Sequence, residues 1–362
     1  MSDRPPPSAP YPDTASVAPA ATAPASSSSR RSAWYRVVLV LVLATYPLLA
    51  LGHFWHTDLQ RDDSAHLLAY FTVFMIRTGW FHLGLALAAV VIWAAWRRAG
   101  RLLLAALPAL LVTVGPELLL YLPRTPAVLT GQACTVMQFN LLYRNPRKDA
   151  VLAEIRRADP DVLLLQEYDP PWDEALHPAL SREYAYAARD VRAGPFGSAI
   201  FSRFPFAGQP EFIPPVGDAR LPILRAEVMF DERPMAIYGV HLWPPKGLAR
   251  FAAQRAGLLH LVELLGVEKR PIIVCGDFNF TVRHDMHQAM LRLGLQDAHD
   301  AAGRGRGSTW PMTSWRRFFP GVRVDHIYFG RGLACASART GSSAGSDHRP
   351  VIAEVGFLSD TP

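Results

Sequence analysis

Charge is scarce in this chain: Asp, Glu, Lys and Arg make up 19% of its 362 residues, and half of all residues are hydrophobic. That balance is too apolar for a chain soluble from end to end, and the apolar excess lies before residue 123. Cysteine is scarcer still. Cys134, Cys275 and Cys335 form neither a metal-ligand spacing nor an even disulfide framework. Each falls in or beside an expected strand and reads as a buried thiol, although an outward-facing compartment would permit one bridge. Internal repeats are absent. The basic excess is small and poorly placed for a nucleic-acid surface: ten arginines and six acids precede Gly131, out of totals of 37 and 31. The net charge of +6 and the pI near 9.4 therefore argue only weakly for nucleic acid.

What is present divides the chain in three. Residues 1–32 are rich in Pro, Ala and Ser, cannot build a core, and are expected to be a disordered tail. Residues 33–123 read as a membrane region with about three transmembrane helices. An uncharged apolar run follows Arg36, a second spans Trp80 to Trp96, and a third Leu102 to Leu122. Leu67 to Ile76 is apolar but too short to span, which suits an interfacial or re-entrant segment. Arg30, Arg31 and Arg36 precede the first run, and Arg97, Arg98 and Arg101 separate the second from the third. Both places should be cytoplasmic. Three crossings would then leave a separate domain, residues 131–358, on the outer face of a plasma membrane, the periplasmic side in a Gram-negative cell. Glu117 inside the third run is costly in lipid and is expected at the interface. His53, His56, His66 and His82 share no helix face and read as interfacial residues.

From Thr135 onward, short β-rich runs alternate with helical ones. TVMQFNLL, DVLLLQE, GSAIFSRFPF, ILRAEVMF, MAIYGVHLW, PIIVCGDF, VDHIYF and PVIAEVGF read as strands. Helices are expected near residues 147–157, 248–265 and 285–293. This pattern suggests an α/β fold with two packed sheets flanked by helices.

Polar residues interrupt these strands at their ends. Asn140, Glu167, His241, Asp277, Asn279, Asp325, Asp347 and His348 each sit beside residues that should be buried. Strand ends on one side of a sheet converge, and buried carboxylates demand compensation, which a hard divalent cation bound by oxygens supplies. Imidazoles suit proton transfer, and an Asp beside a His fixes its tautomer. Asn140 or Asn279 alone is more often a turn residue. His326 reads as structural, and Tyr143 and Arg144 suit a substrate contact or a surface loop equally.

In order, the motifs QFNLLYRN, LLLQEYD, GVHLWP, GDFN, VDHIYF and SDHRP resemble those of the endonuclease/exonuclease/phosphatase superfamily, over roughly residues 132 to 357. That superfamily includes deoxyribonucleases, abasic-site endonucleases, neutral sphingomyelinases and inositol polyphosphate phosphatases. The resemblance implies a four-layer α/β sandwich with mixed sheets. It also implies a metal site for Mg²⁺ or Mn²⁺ with Glu167 as principal ligand, Asn140 beside the metal and Asp347 closing the site. Asp277 would position or deprotonate the attacking water, and Asn279 would donate to the phosphorus centre. Asp325 would orient His348, and His241 would contact the phosphate from the other side and could act as general acid. Residue types leave the base open between Asp277 and His348.

Between Asp300 and Asp325, Arg304, Arg306, Arg316, Arg317 and Arg323 alternate with Trp310, Trp315, Phe318 and Phe319, with no acid among them. This segment could grip nucleic acid, meet a phospholipid headgroup surface, or be a solvated loop. The partners implied are a phosphoester substrate, nucleic acid or phospholipid headgroup, and the lipid bilayer; no protein partner is inferable. A receptor or scaffold without the chemistry would have lost a ligand, and every expected ligand is present.

Overall fold

The computed structural model describes residues 27–125, 127–216, 221–312 and 320–358. Most of the expected disordered tail lies outside these, and the first helix, α1 (Ser27–Phe54), starts several residues before the expected end of the tail. Three further helices follow: α2 (Ser64–Thr78), α3 (Trp80–Trp96) and α4 (Gly100–Leu119). α1, α3 and α4 pack around Val42, Leu49, Leu87, Ala94, Leu102 and Ala106. Gly84 allows α3 to approach α4 closely, since a Cβ there would stand 2.6 Å from Val114. Outward faces carry Val40, Ile92 and Leu104, all exposed. Ala33–Phe54 and Gly100–Leu119 are long and apolar enough to cross a membrane, and α2 with α3, bent by 52°, makes a third candidate if the pair counts as one span.

The short apolar run at Leu67–Ile76 forms the middle of α2, and its surroundings explain why it carries so little charge. Tyr70 and Phe74 belong to a core shared with the domain that follows, and Phe74 stacks on His284 at 3.8 Å. Arg77 pairs with Asp285 at 2.8 Å, both side chains nearly fully buried. Removing one member of such a pair leaves an uncompensated buried charge, so Asp285→Ala should destabilise the detergent-solubilised chain by about 3–5 kcal/mol. Denaturant midpoints would measure it; a loss under about 1 kcal/mol would show that the bundle and the domain are not held together there.

The domain begins with β1 (Cys134–Asn140), α5 (Lys148–Ala158), β2 (Val162–Gln166), α6 (Pro170–Glu183), β3 (Tyr186–Asp190) and β4 (Ser198–Ser202). β5 (Glu211–Ile213), β6 (Ile223–Phe230), β7 (Arg233–His241), α7 (Leu248–Val267), β8 (Ile272–Asp277) and α8 (Asp285–Arg292) follow. β9 (Gln296–Asp297), α9 (Ala298–Ala302), β10 (Asp325–Gly330), β11 (Leu333–Thr340) and β12 (Val351–Phe357) complete it. Two six-stranded mixed sheets result, ordered β11-β12-β1-β2-β4-β3 and β5-β6-β7-β8-β10-β9. Strand alternation explains the layers. Val162 and Leu164 of β2 point between the sheets to meet Ile237, Ile273 and Ile327. Leu163 and Leu165 point outward to Ile155, Trp172 and Leu176 of α5 and α6. On the other sheet Tyr238, Val240 and Val274 face Phe251, Leu258 and Leu261 of α7. The fold is therefore a four-layer α/β sandwich.

Six elements of the domain have no counterpart among the expected runs: α6, β3, β11 and the short β5, β9 and α9. α6 contains Pro170 and Pro178, which disguise it, but Pro170 occupies the first turn and Asp169 caps Trp172 N at 3.2 Å. β3 and β11 lack a clean apolar alternation and pair along the edges of their sheet.

Candidate active site

Parallel pairing brings the chemistry together. β1 runs parallel to β2 with Asn140 opposite Gln166, and β7 runs parallel to β8 with His241 opposite Asp277. Four C-terminal strand ends thus lie on one side. The antiparallel neighbour β10 starts there, with Asp325 opposite Asp277, and β12 begins shortly after Asp347 and His348. Glu167 and Asn279 leave their strands at φ +59° and +55°, left-handed conformations that non-glycine residues hold at a cost and that cluster at functional sites. Gly276 has φ +150°, and a Cβ there would stand 1.8 Å from Val240 O, so only glycine lets β7 and β8 meet this closely beside Asp277.

Asp277 is the hub. Its Oδ1 accepts from Asn279 N at 3.0 Å, and its Oδ2 accepts from Asn140 Nδ2 at 3.1 Å. The same Oδ2 faces His241 Nε2 and His348 Nε2, each at 3.7 Å. His348 Nδ1 bonds Asp325 Oδ2 at 2.8 Å, while Asp325 Oδ1 accepts from Gln138 Nε2 at 3.1 Å. Asn279 Nδ2 donates to Leu242 O at 2.9 Å. Glu167 accepts from Asn140 Nδ2 at 3.3 Å and from Tyr143 N at 2.9 Å. Asp347 accepts from Trp310 Nε1 at 3.3 Å.

Electrostatics separates the two imidazoles. Burial opposes a charged His348, but Asp325 and Asp277 outweigh it and hold the ring up at about 10. Burial, reinforced by His348 and opposed by Asp325, pushes His241 down to about 4. At neutral pH His348 is an imidazolium and His241 a neutral ring whose buried Nδ1 has no partner. Burial also raises the Asp277 carboxyl, against the pull of His348 and the bonds from Asn140 and Asn279. Because the folded His348 titrates above an ordinary histidine, its stabilising contribution is complete below about pH 6.5 and is lost as pH rises through about 10. The stability advantage of the EDTA-treated wild type over His348→Gln should therefore shrink across that window in denaturant melts. A constant advantage would contradict the assignment.

The donor set fits a divalent cation. Burial is the largest influence on Glu167 and raises its carboxyl, and Asp347 adds to the effect. Among the described residues no lysine or arginine pairs with Glu167, Asp277 or Asp325, so the anionic edge lacks a side-chain cation beyond His348. Glu167 and Asp347, with Asn140 beside them, are oxygen-rich as Mg²⁺ and Mn²⁺ require. Asp277, Asp325 and His348 also lie close enough to hold an ion, their candidate ligand atoms within 4.8 Å of one another. Asp325 is already engaged through both oxygens, however, by His348 Nδ1 and Gln138 Nε2, while His348 Nε2 faces Asp277 at 3.7 Å.

The eight residues singled out in the sequence all lie in this layer. Others were missed. Gln138 shares the strand face of Asn140 by alternation, a signal that was available. Ser346 Oγ donates to Asn140 O at 2.7 Å and accepts from His348 N at 3.0 Å, tying two motifs together. His326 is structural: Nδ1 meets Asp297 at 2.7 Å and Nε2 meets Phe280 O at 3.0 Å. The three cysteines are free and buried. Of the basic segment, Arg304 bonds Tyr121 O, Arg306 pairs with Glu117, and Arg323 pairs with Asp297 and Asp300. These three arginines make internal contacts; Trp315, Arg316, Arg317, Phe318 and Phe319 lie outside the described residues.

Comparison with known proteins gives a consistent picture. Residues 137–348 match the model of the "Endonuclease/Exonuclease/phosphatase family". Nocturnin of Rattus norvegicus is 31% identical over 219 residues, 53% of this chain and 51% of that protein, so the chain spans about half the length of this curated relative. The endonuclease/exonuclease/phosphatase of Beutenbergia cavernae DSM 12333 superposes with a TM-score of 0.53 at 18% identity, over 63% of this chain and 72% of that one. A variant of the 3′ phosphatase NExo from Neisseria, bound to a product DNA hairpin, gives 0.53 at 22% identity, over 62% and 100%.

Proposed function

Because the chain belongs to the endonuclease/exonuclease/phosphatase family, we propose that it is a membrane-anchored, divalent-metal-dependent phosphodiesterase acting on nucleic acid. The observation that carries the reading is Asp277 Oδ2, which faces two imidazoles and an amide in one buried layer with Glu167 at its edge.

Asp277 orients the attacking water and accepts its proton; His348, held as an imidazolium between two carboxylates, is less suited to be the base. Asp325 fixes the tautomer of His348, with Nδ1–H on the carboxylate. His348 then stabilises developing charge and holds a proton at Nε2. His241, neutral at pH 7, donates a hydrogen bond to a phosphate oxygen from the opposite side, so His348 replaces it as the source of the acidic proton. Asn279 is anchored on Leu242 O and keeps its second amide hydrogen for a phosphoryl oxygen. Glu167 and Asp347, with Asn140, would hold Mg²⁺ or Mn²⁺, which when bound neutralises the phosphate oxygens and polarises the P–O bond.

Nucleic acid is favoured by NExo, whose structure holds a product DNA hairpin. One observation favours a phospholipid or sphingomyelin-type diester instead: the loop after Asn279 runs directly to Arg283 and His284, which contact α4 and α2. The full chain in vesicles with Mg²⁺ should cleave an oligonucleotide faster than phospholipid or bis-p-nitrophenyl phosphate. Cleavage of lipid alone would retire the nucleic-acid reading, and inertness toward all three would retire the enzyme.

A multi-pass arrangement in a plasma membrane, with the domain on the outer or periplasmic side, has a specific support. Arg36, Arg97, Arg98 and Arg101 belong to the ends of the bundle away from the domain, whereas the domain end carries Arg61, Arg77 and Arg124 mixed with Asp58, Asp62, Asp63 and Glu117, and Arg77 is buried against Asp285. A reporter joined to Pro362 should be active outside the cytoplasm; activity confined to the cytoplasm would reverse the topology.

A further inference from the structure

Between the bundle and the domain lies a cavity of about 430 Å³ that the chemistry above does not use. Its walls come from the domain-side ends of α3 and α4 and from the segments after Asn279 and before Asp325. Five arginines and two carboxylates, Glu117 and Asp300, line it, and Asp285 and Asp297 behind the wall pair with Arg77 and Arg323, which leaves a small cationic excess carried by Arg124. Glu117 is shared by Arg283 and Arg306, at 2.7 and 2.8 Å. Arg124 has no hydrogen-bonding or ionic partner among the described residues. Arg323 is only 6% exposed, and its Nε is buried without a partner, as is Arg306 Nη1. Buried donors of this kind are normally satisfied by something, and arginine forks match phosphate oxygens.

The wall on the side of α3 and α4 is apolar and aromatic, and Thr78, Thr281, His287 and Gln288 add neutral polar groups opposite. Trp80 lies under the Arg283 guanidinium at 5.5 Å, and Phe81 under that of Arg306 at 3.6 Å. Pro116 and Leu120 complete the side facing α4. A second hollow of about 320 Å³ adjoins it, sharing Arg77, Trp80 and Arg283. Tryptophan with arginine at the end of an apolar helix is the composition of a membrane–water boundary. Cationic donors on one side and an apolar helix end on the other fit one ligand class, an anion carrying a hydrocarbon tail.

We propose that this cavity binds the phosphate headgroup of an anionic phospholipid, seating it between the membrane helices and the catalytic domain. The site rests on the reading of α1, α3 and α4 as membrane-embedded and is separate from the catalytic layer.

The test uses the full chain reconstituted in vesicles of equal phosphatidylglycerol and phosphatidylcholine, extracted gently and examined by native mass spectrometry. Wild type should retain phosphatidylglycerol in preference to phosphatidylcholine. Arg124→Gln removes a cation without breaking an ion pair, and Arg306→Gln leaves Glu117 to Arg283. Each should weaken retention roughly fivefold. Equal retention of both lipids by a properly inserted chain would overturn the site alone. Displacement of bound phosphatidylglycerol by millimolar inorganic phosphate, with no lipid preference left, would mark a free-phosphate site and overturn the lipid assignment. A chain that floats with no vesicle would overturn the membrane reading and the site with it.

Discussion

Asp277→Asn should lower kcat by at least about 10³-fold with little change in KM if, as proposed, Asp277 takes the proton from water. The substitution preserves shape. An asparagine oxygen can still accept from Asn279 N, so the turn at Asn279 survives. The other position then carries an amide that donates, where Asn140 already donates and the protonated His348 stands 3.7 Å away. Burial of the charged carboxylate is costly in the wild type, so its removal offsets part of that donor conflict. The variant should therefore melt near the wild type while losing turnover, a combination that separates a chemical role from a structural one. A kcat within tenfold of wild type would move the base elsewhere.

Glu167→Gln carries the second large effect. Substitutions of groups that merely support a ligand cost about 10–100-fold in metal affinity, and loss of the principal ligand should exceed that. Turnover at low Mg²⁺ should fall by more than about 10²-fold and recover in part at higher Mn²⁺, while Tyr143 N still finds an acceptor in the glutamine oxygen. An unchanged metal requirement would place the ion elsewhere, with the Asp277, Asp325 and His348 trio as the next candidate.

Legibility in the sequence followed the range of the interactions. Asn140, Glu167 and Asp277 stand out because each ends an apolar strand, and local pattern alone exposes a polar residue that burial should have excluded. The core strands were readable for the same reason: Val162 to Leu165 are buried on both faces, and a continuous apolar run records that directly. Gln138 shares the face of Asn140, but one amide within a strand also looks like ordinary alternation, and its partner Asp325 is distant in the chain. The basic segment misled for a related reason. Arginines without nearby acids suggest an open polyanion surface, yet Arg306 finds Glu117 and Arg304 finds the Tyr121 carbonyl across the junction with α4. α2 shows the limit of hydropathy: its apolar face answers to Phe251 of α7, which length and composition do not reveal. Glu117, costly in lipid, is compensated by two arginines from the domain, so its presence in the third apolar run marks a docking point.

The central claim is that one buried layer at the strand ends of both sheets hydrolyses phosphodiesters with a bound divalent ion. Its most direct test is turnover of a phosphodiester by the full chain in vesicles, before and after EDTA stripping and after Mg²⁺ or Mn²⁺ is restored, with Glu167→Gln alongside. Activity should vanish on stripping, return with the ion, and return poorly in the variant. Turnover that persists undiminished through stripping, or an equal response from Glu167→Gln, would contradict the account.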